Sequence, residues 1–189
     1  KLDLAEQAFG RAVTLAPKEA RFREAQGRLY LELGRHEEAV EALERAEHLQ
    51  GGNVQTLRAL GLAYLQFDSP REAQRTLERA LAIGPAVAET HLHHARALLA
   101  LNRALDARKE LVAALALDPG IAEVHYELGV LLAKAGELDG AAKHLEQATR
   151  TAVDPADAYG ELGKVLRARG EAHEAVLAFK QRLRARPND

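Results

Sequence analysis

Four histidines fall close together in the chain, and histidine is the side chain that both binds transition metals and titrates near neutral pH. They are His91, His93, His94 and His125. A transition-metal site needs three or four converging ligands, each oriented by further hydrogen bonds. We therefore expect these side chains to pack between helices rather than to hold a metal. A weak response of stability to pH is the alternative role.

Two glutamates, Glu127 and Glu161, are the second candidate for chemistry, because paired carboxylates perform general acid–base catalysis. Most glutamates lie on solvated helix surfaces, and we expect that here. The sequence has no cysteine, and its one serine, Ser69, precedes a proline. It also lacks a glycine-rich phosphate loop and a zinc-protease motif. We expect no enzymatic activity, no cofactor and no metal.

The composition limits the classes of partner. The chain is 47% hydrophobic and 29% charged, with a net charge of −2. This profile is unlike that of disordered chains. Sequence-independent binding of nucleic acid needs a basic surface, which this charge does not favour. No apolar run approaches the ~18 residues of a membrane-spanning helix, so we expect no membrane insertion in this segment.

A repeat of 34 residues runs through the whole chain without insertion, and it must position any of these side chains. One set of alanines shows the step: Ala5, Ala39, Ala73, Ala107, Ala141 and Ala175. A fixed period of this size indicates stacked supersecondary units. With position 1 at Ala20, we expect a single array over 1–189, with full repeats 20–53, 54–87, 88–121, 122–155 and 156–189. Residues 1–19 match the second half of an earlier repeat, so we expect a piece of a longer array.

Each repeat carries two stretches whose apolar residues are three and four apart, which predicts two amphipathic helices. Gly, Asp or Asn recurs at position 15 and predicts the end of the first helix: Gly34, Asp68, Asn102, Gly136 and Gly170. Proline recurs at position 32 and predicts the end of the second: Pro17, Pro85, Pro119 and Pro187, with Gly51 and Val153 in the other two repeats. Small residues at positions 8, 20 and 27 predict a close approach of the helices.

These positions resemble the tetratricopeptide repeat. The match is carried by Leu60-Gly61, Tyr64, Ala73, Leu77, Ala80 and Pro85, and again by Leu128-Gly129, Leu132, Ala141, Leu145 and Ala148. The resemblance implies an all-α, right-handed superhelical α-solenoid of antiparallel helix pairs, with about five and a half repeats. Departures from the family pattern occur at Arg23, Gln26, His91, His94, Ala95 and Arg182. We expect them to change local packing and not the fold.

The resemblance also implies that the first helices line a concave groove, with positions 2, 5, 9, 12 and 13 facing it. We call the residues at these positions the predicted groove surface. Those expected to contact a partner are Arg28, Arg58, Leu62, Leu65, Leu92, Arg96, Leu99, Tyr126, Val130, Lys134, Lys164 and Arg167. The apolar members, with Ala133, would form a strip flanked by the basic ones. The alternative is that positions 5 and 12 are apolar only to support neighbouring helices.

The predicted function is that of a non-catalytic protein–protein interaction scaffold or adaptor. Its partner would be a peptide or an amphipathic helix with acidic residues that pair with the basic side chains. One alternative is an interaction arm of a larger enzyme or of a secretion or assembly machine. Another is self-association, because the helix predicted at residues 2–15 lacks its first-helix partner and exposed ends of repeat arrays favour stacking.

Overall fold

The computed structural model describes residues 2–84 and 86–187, and these form an all-α array of paired antiparallel helices. A single helix is followed by five helix pairs, as the repeat predicts. The eleven helices in the described residues are α1 Leu2–Leu15, α2 Ala20–Glu32, α3 His36–Leu49, α4 Val54–Gln66, α5 Pro70–Ile83, α6 Ala88–Ala100, α7 Ala104–Leu117, α8 Ala122–Lys134, α9 Leu138–Thr151, α10 Ala156–Ala168 and α11 Ala172–Ala185.

The turn inside each pair has the same geometry in all five repeats. The residue at position 15 has a positive φ, from 55° at Asp68 to 86° at Gly170. The backbone N–H that follows it donates to the carbonyl five residues earlier, as in Arg35 to Tyr30 at 2.9 Å and Ser69 to Tyr64 at 2.8 Å. This bond closes a Schellman motif, which satisfies carbonyls that the ending helix leaves without partners. The prediction that position 15 ends the first helix is confirmed.

The second helices end at one repeat position whether or not a proline follows. α1, α7 and α11 end two residues before Pro17, Pro119 and Pro187. α3 and α9 end at the equivalent residues without that proline. Pro85 lies outside the described residues. Proline therefore reinforces this end of the helix but is not what sets it.

The two helices of a pair touch where position 8 is glycine. A Cβ atom placed on Gly61 would lie 2.5 Å from the Leu77 Cγ, far inside van der Waals contact. The same clash would occur, at 2.5 to 2.6 Å, for three further pairs: Gly27 with Leu43, Gly129 with Leu145 and Gly163 with Phe179. The helix axes are therefore as close as a residue without a side chain permits, as the small residues predict.

Two compact bodies make up the chain, and the boundary falls within α7. The N-terminal body spans residues 1–107 and the C-terminal body residues 108–189. From α1 to α6, and again from α8 to α11, each helix contacts the next one along the chain. First helices also contact each other: α2 with α4, α4 with α6, and α8 with α10. The single continuous array stays a prediction. Among the described residues, no helix has the length and apolarity to cross a bilayer.

The core of each body consists of the repeated small and large apolar side chains. Leu43, Leu57 and Leu77 are fully buried in the N-terminal body, and Leu111 and Leu145 in the C-terminal body. Burial of side chains of this size contributes roughly 1.5–3 kcal/mol each, so the packing positions fix the fold.

Candidate functional site

The predicted groove surface divides between the two bodies. In the N-terminal body, α2, α4 and α6 carry Arg28, Arg58, Leu62, Leu65, Leu92, Arg96 and Leu99. In the C-terminal body, α8 and α10 carry Tyr126, Val130, Lys134, Lys164 and Arg167. Because α2, α4 and α6 contact in sequence, and α8 contacts α10, the structure places each group on adjoining first helices. Contact of these residues with a partner stays a prediction.

The leucines of the N-terminal group differ in exposure. Leu92 is only 4% exposed. Leu65 is half-buried and packs against Ala73, Leu77 and Ala97. Both therefore support the neighbouring helices, in line with the alternative role for positions 5 and 12. Leu62 and Leu99 are half-buried and keep part of their apolar surface open to solvent.

Two arginines of this surface already have carboxylate partners within the chain. The Arg28 Nη2 lies 2.9 Å from the Glu24 Oε1. The Arg58 Nη2 donates to the Glu89 Oε2 at 3.1 Å, and its Nη1 donates to the Gln55 Oε1 at 3.3 Å. A partner carboxylate would have to compete with these bonds. Such exposed pairs are individually weak, at about 0–1 kcal/mol, so competition is feasible.

The same contacts connect successive first helices. The hydroxyl of Thr56 on α4 donates to the second oxygen of Glu24 on α2 at 2.7 Å, and Arg58 on α4 reaches Glu89 on α6. Position 5 of one repeat thus bonds to position 2 or 3 of the next. Sequence reasoning missed this network. The opposite charges of Arg58 and Glu89, 31 residues apart, were the signal that could have revealed it.

His93 lies within this network on α6. The pKa of His93 is lowered to about 4, chiefly by burial and also by nearby Arg96 and Arg58, while Glu89 opposes the shift. Its Nδ1 is buried without a hydrogen-bond partner in the described part of the chain. The ring is therefore neutral at physiological pH, and it neither shuttles protons nor carries charge there.

The other histidines divide between packing and pairing. His94 is 6% exposed, in place of the usual core leucine, and its Nε2 lies 3.6 Å from the Glu78 Oε1. His91 is half-buried. His125 pairs with His144, which sequence reasoning missed, through Nδ1 atoms 2.9 Å apart. Nowhere in residues 2–84 and 86–187 do three His, Asp or Glu side chains converge as a metal site requires.

The His125–His144 pair has defined proton positions. The His125 Nε2 lies 3.0 Å from the Pro119 carbonyl, which can only accept, so this nitrogen carries a proton. In neutral His125 the Nδ1 then accepts, and the His144 Nδ1 donates. Burial lowers the pKa of His144, and His125, Lys143 and Arg108 lower it further.

Only one of the three basic residues of the C-terminal group has an ion pair among the described residues. The Lys164 Nζ donates to the Glu161 Oε1 at 2.6 Å, so Glu161 belongs to a surface ion pair. Lys134 and Arg167 are exposed, and no carboxylate among the described residues lies within 4.0 Å of either.

Burial raises the pKa of Tyr126, as do the neighbouring carboxylates of Glu161, Asp157 and Glu127.

Arg182 explains one departure from the repeat pattern. It stands where the other second helices have alanine, and its aliphatic stem lies over Gly160 on α10. A Cβ atom on Gly160 would be 3.2 Å from the Arg182 Cδ. Glycine at position 5 therefore makes room for the long side chain at position 27.

Comparison with known proteins agrees with this architecture. A family model described as tetratricopeptide repeat matches residues 1–54, 92–155 and 132–189, and a second model of the same description matches residues 54–79. A search of curated protein sequences gives no match.

Solved structures share the fold. The structure of YrrB, described as a tetratricopeptide repeat protein with an unusual peptide-binding site, has a TM-score of 0.72 at 21% identity and covers 97% of this chain and 95% of its own. MamA gives 0.74 at 26% identity, over 84% of this chain and 93% of its own. PilW, a type IV pilus biogenesis factor, gives 0.88 at 19% identity, over 100% of this chain and 87% of its own.

The family models together cover most of the chain, and they agree with the helix pairs and with the glycine and alanine contacts that repeat through the structure. The array is thus a protein-interaction module of about five and a half repeats. The chain belongs to the tetratricopeptide repeat family.

Proposed function

We propose that the chain is a non-catalytic scaffold that binds a peptide or an amphipathic helix of a partner protein along its first helices. The observation that carries the proposal is the partial exposure of Leu62 and Leu99 beside polar side chains, while the packing leucines Leu57 and Leu77 are fully buried. Apolar surface left open on a groove of helices can bury the apolar face of a bound peptide or helix. The likeness to YrrB, described as having a peptide-binding site, supports this use of the fold.

The N-terminal body offers the partner two kinds of contact. Leu62 and Leu99 can bury apolar side chains of the partner, each burial contributing roughly 1 kcal/mol or more. Arg58 and Arg28 can exchange Glu89 and Glu24 for carboxylates of the partner. Because the arginines already have partners, the apolar contacts provide the affinity and the charged ones the orientation.

A peptide selection tests this function. Random 16-residue peptides displayed on phage are selected on the whole chain, and the affinities of the selected peptides are measured by fluorescence anisotropy. We expect the double variant Leu62→Asp, Leu99→Asp to bind at least about tenfold more weakly, because it places charge under the apolar face of the ligand. Leu15→Asp with Leu49→Asp is the matched control, since both leucines are exposed and lie outside the predicted groove surface. Unchanged affinity in a folded double variant contradicts the proposal.

Self-association is a second candidate, favoured by the exposed apolar side chains of α11. Val176 and Leu183 are each 51% exposed, whereas Val40 and Ala142, which share the repeat position of Val176, are 8% and 2% exposed. A second copy would cover them. Light scattering across a concentration series tests this, with Val176→Glu and Leu183→Glu expected to shift any oligomer to monomer. A monomer at high concentration in the unaltered chain rules it out.

A further inference from the structure

The first helices of the C-terminal body are acidic in their first half and basic in their last turns. On α8 the charged residues run from Glu123 and Glu127 to Lys134, and on α10 from Asp157 and Glu161 to Arg167. The two helices contact each other, so the acidic half of one lies beside the acidic half of the other, and the basic ends are likewise adjacent. The result is a surface with one acidic edge and one basic edge.

The helix dipole does not account for this pattern. A basic residue in the last turn stabilises any helix, and the effect is the same for every first helix of the array. Yet α2, α4 and α6, all within the described residues, end without one. The basic last turns that Lys134 and Arg167 give α8 and α10 are therefore a feature that these three first helices lack.

Within the predicted groove surface, these two cations differ from the other basic residues in having no ion pair among the described residues. Both side chains are exposed, and in the described ranges no carboxylate lies within 4.0 Å of either. Arg28, Arg58 and Lys164, by contrast, are held by Glu24, Glu89 and Glu161. A carboxylate that pairs with Lys134 or Arg167 breaks no existing ion pair, so its attraction is not offset by the loss of another pair.

Two apolar side chains lie next to the basic edge. Val130 and Ala133 lie on α8 within one turn of Lys134, and both are half-buried. An apolar side chain placed on them brings the neighbouring residues of its own helix or strand to the basic edge. This arrangement fits a segment with an apolar face and acidic residues along one flank.

We propose that the C-terminal body recognises the acidic flank of a partner protein segment, whose carboxylates pair with Lys134 and Arg167 while its apolar face rests on Val130 and Ala133. This inference rests on the proposed function and adds to it where in the array the acidic residues of the partner bind. A protein segment fits better than nucleic acid, because exposed Glu123 and Asp157 on the opposite edge repel a phosphate backbone.

The test repeats the peptide selection on three forms of the whole chain. These are the unaltered chain, the double variant Lys134→Glu, Arg167→Glu, and the control Lys143→Glu, Arg150→Glu, which makes the same change of net charge at exposed positions on α9. We expect peptides rich in Asp and Glu from the unaltered chain and the control. The double variant loses this enrichment and binds the selected acidic peptides at least about tenfold more weakly at low salt.

The outcomes separate this inference from the proposed function. Peptides selected without acidic enrichment, or acidic peptides that bind the double variant undiminished, overturn the inference while the binding function stands. If no peptide is enriched on the unaltered chain, the proposed function itself fails. A 20-nucleotide single-stranded DNA is measured in parallel at 150 mM salt, and binding that matches the peptides and is lost in the double variant overturns the assignment to a protein partner.

Discussion

The Arg108 guanidinium donates to both carboxylate oxygens of Glu137, at 2.6 and 3.0 Å. Glu137 caps the start of α9, and Arg108 lies on the preceding second helix, α7. The equivalent contact in the N-terminal body has the charges reversed, since Arg35 at the start of α3 donates to Glu6 on α1 at 2.6 Å. The same arrangement of helices therefore accommodates an ion pair whichever of the two positions holds the arginine.

Exchanging the charges of Arg108 and Glu137 should be tolerated, whereas reversing one should not. Arg108→Glu sets two carboxylates together and should lower the midpoint of thermal unfolding by roughly 1–3 °C, and adding Glu137→Arg should recover most of the loss. Circular dichroism melts check this, with Arg150→Glu, an exposed charge change on α9, as the control. In 1 M salt the differences should shrink, because the ions screen exposed pairs. Equal melting of the single and double variants would contradict the pairing.

Gly61→Ala should destabilise the N-terminal body although alanine is the better helix former. The new Cβ would meet the fully buried Leu77 at 2.5 Å, and overpacking of this kind costs roughly 1–3 kcal/mol. The matched control is Gly10→Ala in α1, where no atom lies within 4 Å of the added Cβ. There the substitution should stabilise by roughly 0.5–1 kcal/mol. Urea unfolding measures both, and a stabilising Gly61→Ala would show that the helices are not in contact as described.

His93 should make stability fall as the pH is lowered. Its pKa is about 4 in the folded chain, below the ordinary 6.5, so the unfolded chain binds a proton more readily. Protonation of the unfolded chain therefore costs stability below pH 6.5, and the loss grows to about 3 kcal/mol near pH 4. His93→Gln should reduce the difference in urea midpoint between pH 5 and pH 8, while His48→Gln at an exposed site should not. A pH-independent midpoint in the unaltered chain excludes this role for His93.

His144 should titrate at a higher pH once His125 is replaced. Burial is the first cause of its lowered pKa and proximity to His125 the second, with Lys143 and Arg108 adding to the effect; Glu137 partly neutralises Arg108. His125→Asn removes one of the causes that lower the pKa of His144 while burial persists, so that pKa should rise but remain below its ordinary value. NMR titration of the imidazole nitrogens measures this. An unchanged pKa would mean that the two rings do not interact.

The helix boundaries and turns could be predicted from the sequence because their causes are local. Asparagine at position 102 predicts a left-handed turn by its residue type, and Asn102 has a φ of 60° in the structure. Glycine at position 8 likewise predicts a close crossing of the two helices. The period of 34 residues then carried each prediction to the other repeats.

The contacts on the surface could not be predicted in the same way. The Glu24–Thr56 bond depends on how far α4 is rotated against α2, which the packed core decides. His144 was missed because its repeat position is not histidine elsewhere, so the period did not indicate a histidine pair. The other repeats have Ala42, Thr76, Glu110 and Ala178 at this position. The burial of Leu92 was hidden for a related reason, since the residues at its repeat position include the charged Glu24 and Arg58.

The reversed charges of the Arg35–Glu6 and Arg108–Glu137 contacts have a consequence for rearranged arrays. The alanine, leucine and glycine positions of the core are alike in most repeats, so they distinguish one junction from another less than the surface charges do. A recombined chain that set the α9 end of Glu137 against the helix of Glu6 would juxtapose two carboxylates, and Arg35 against Arg108 would juxtapose two guanidinium groups. At these two junctions the direction of the surface ion pair thus distinguishes a correct junction from one in which the two are exchanged.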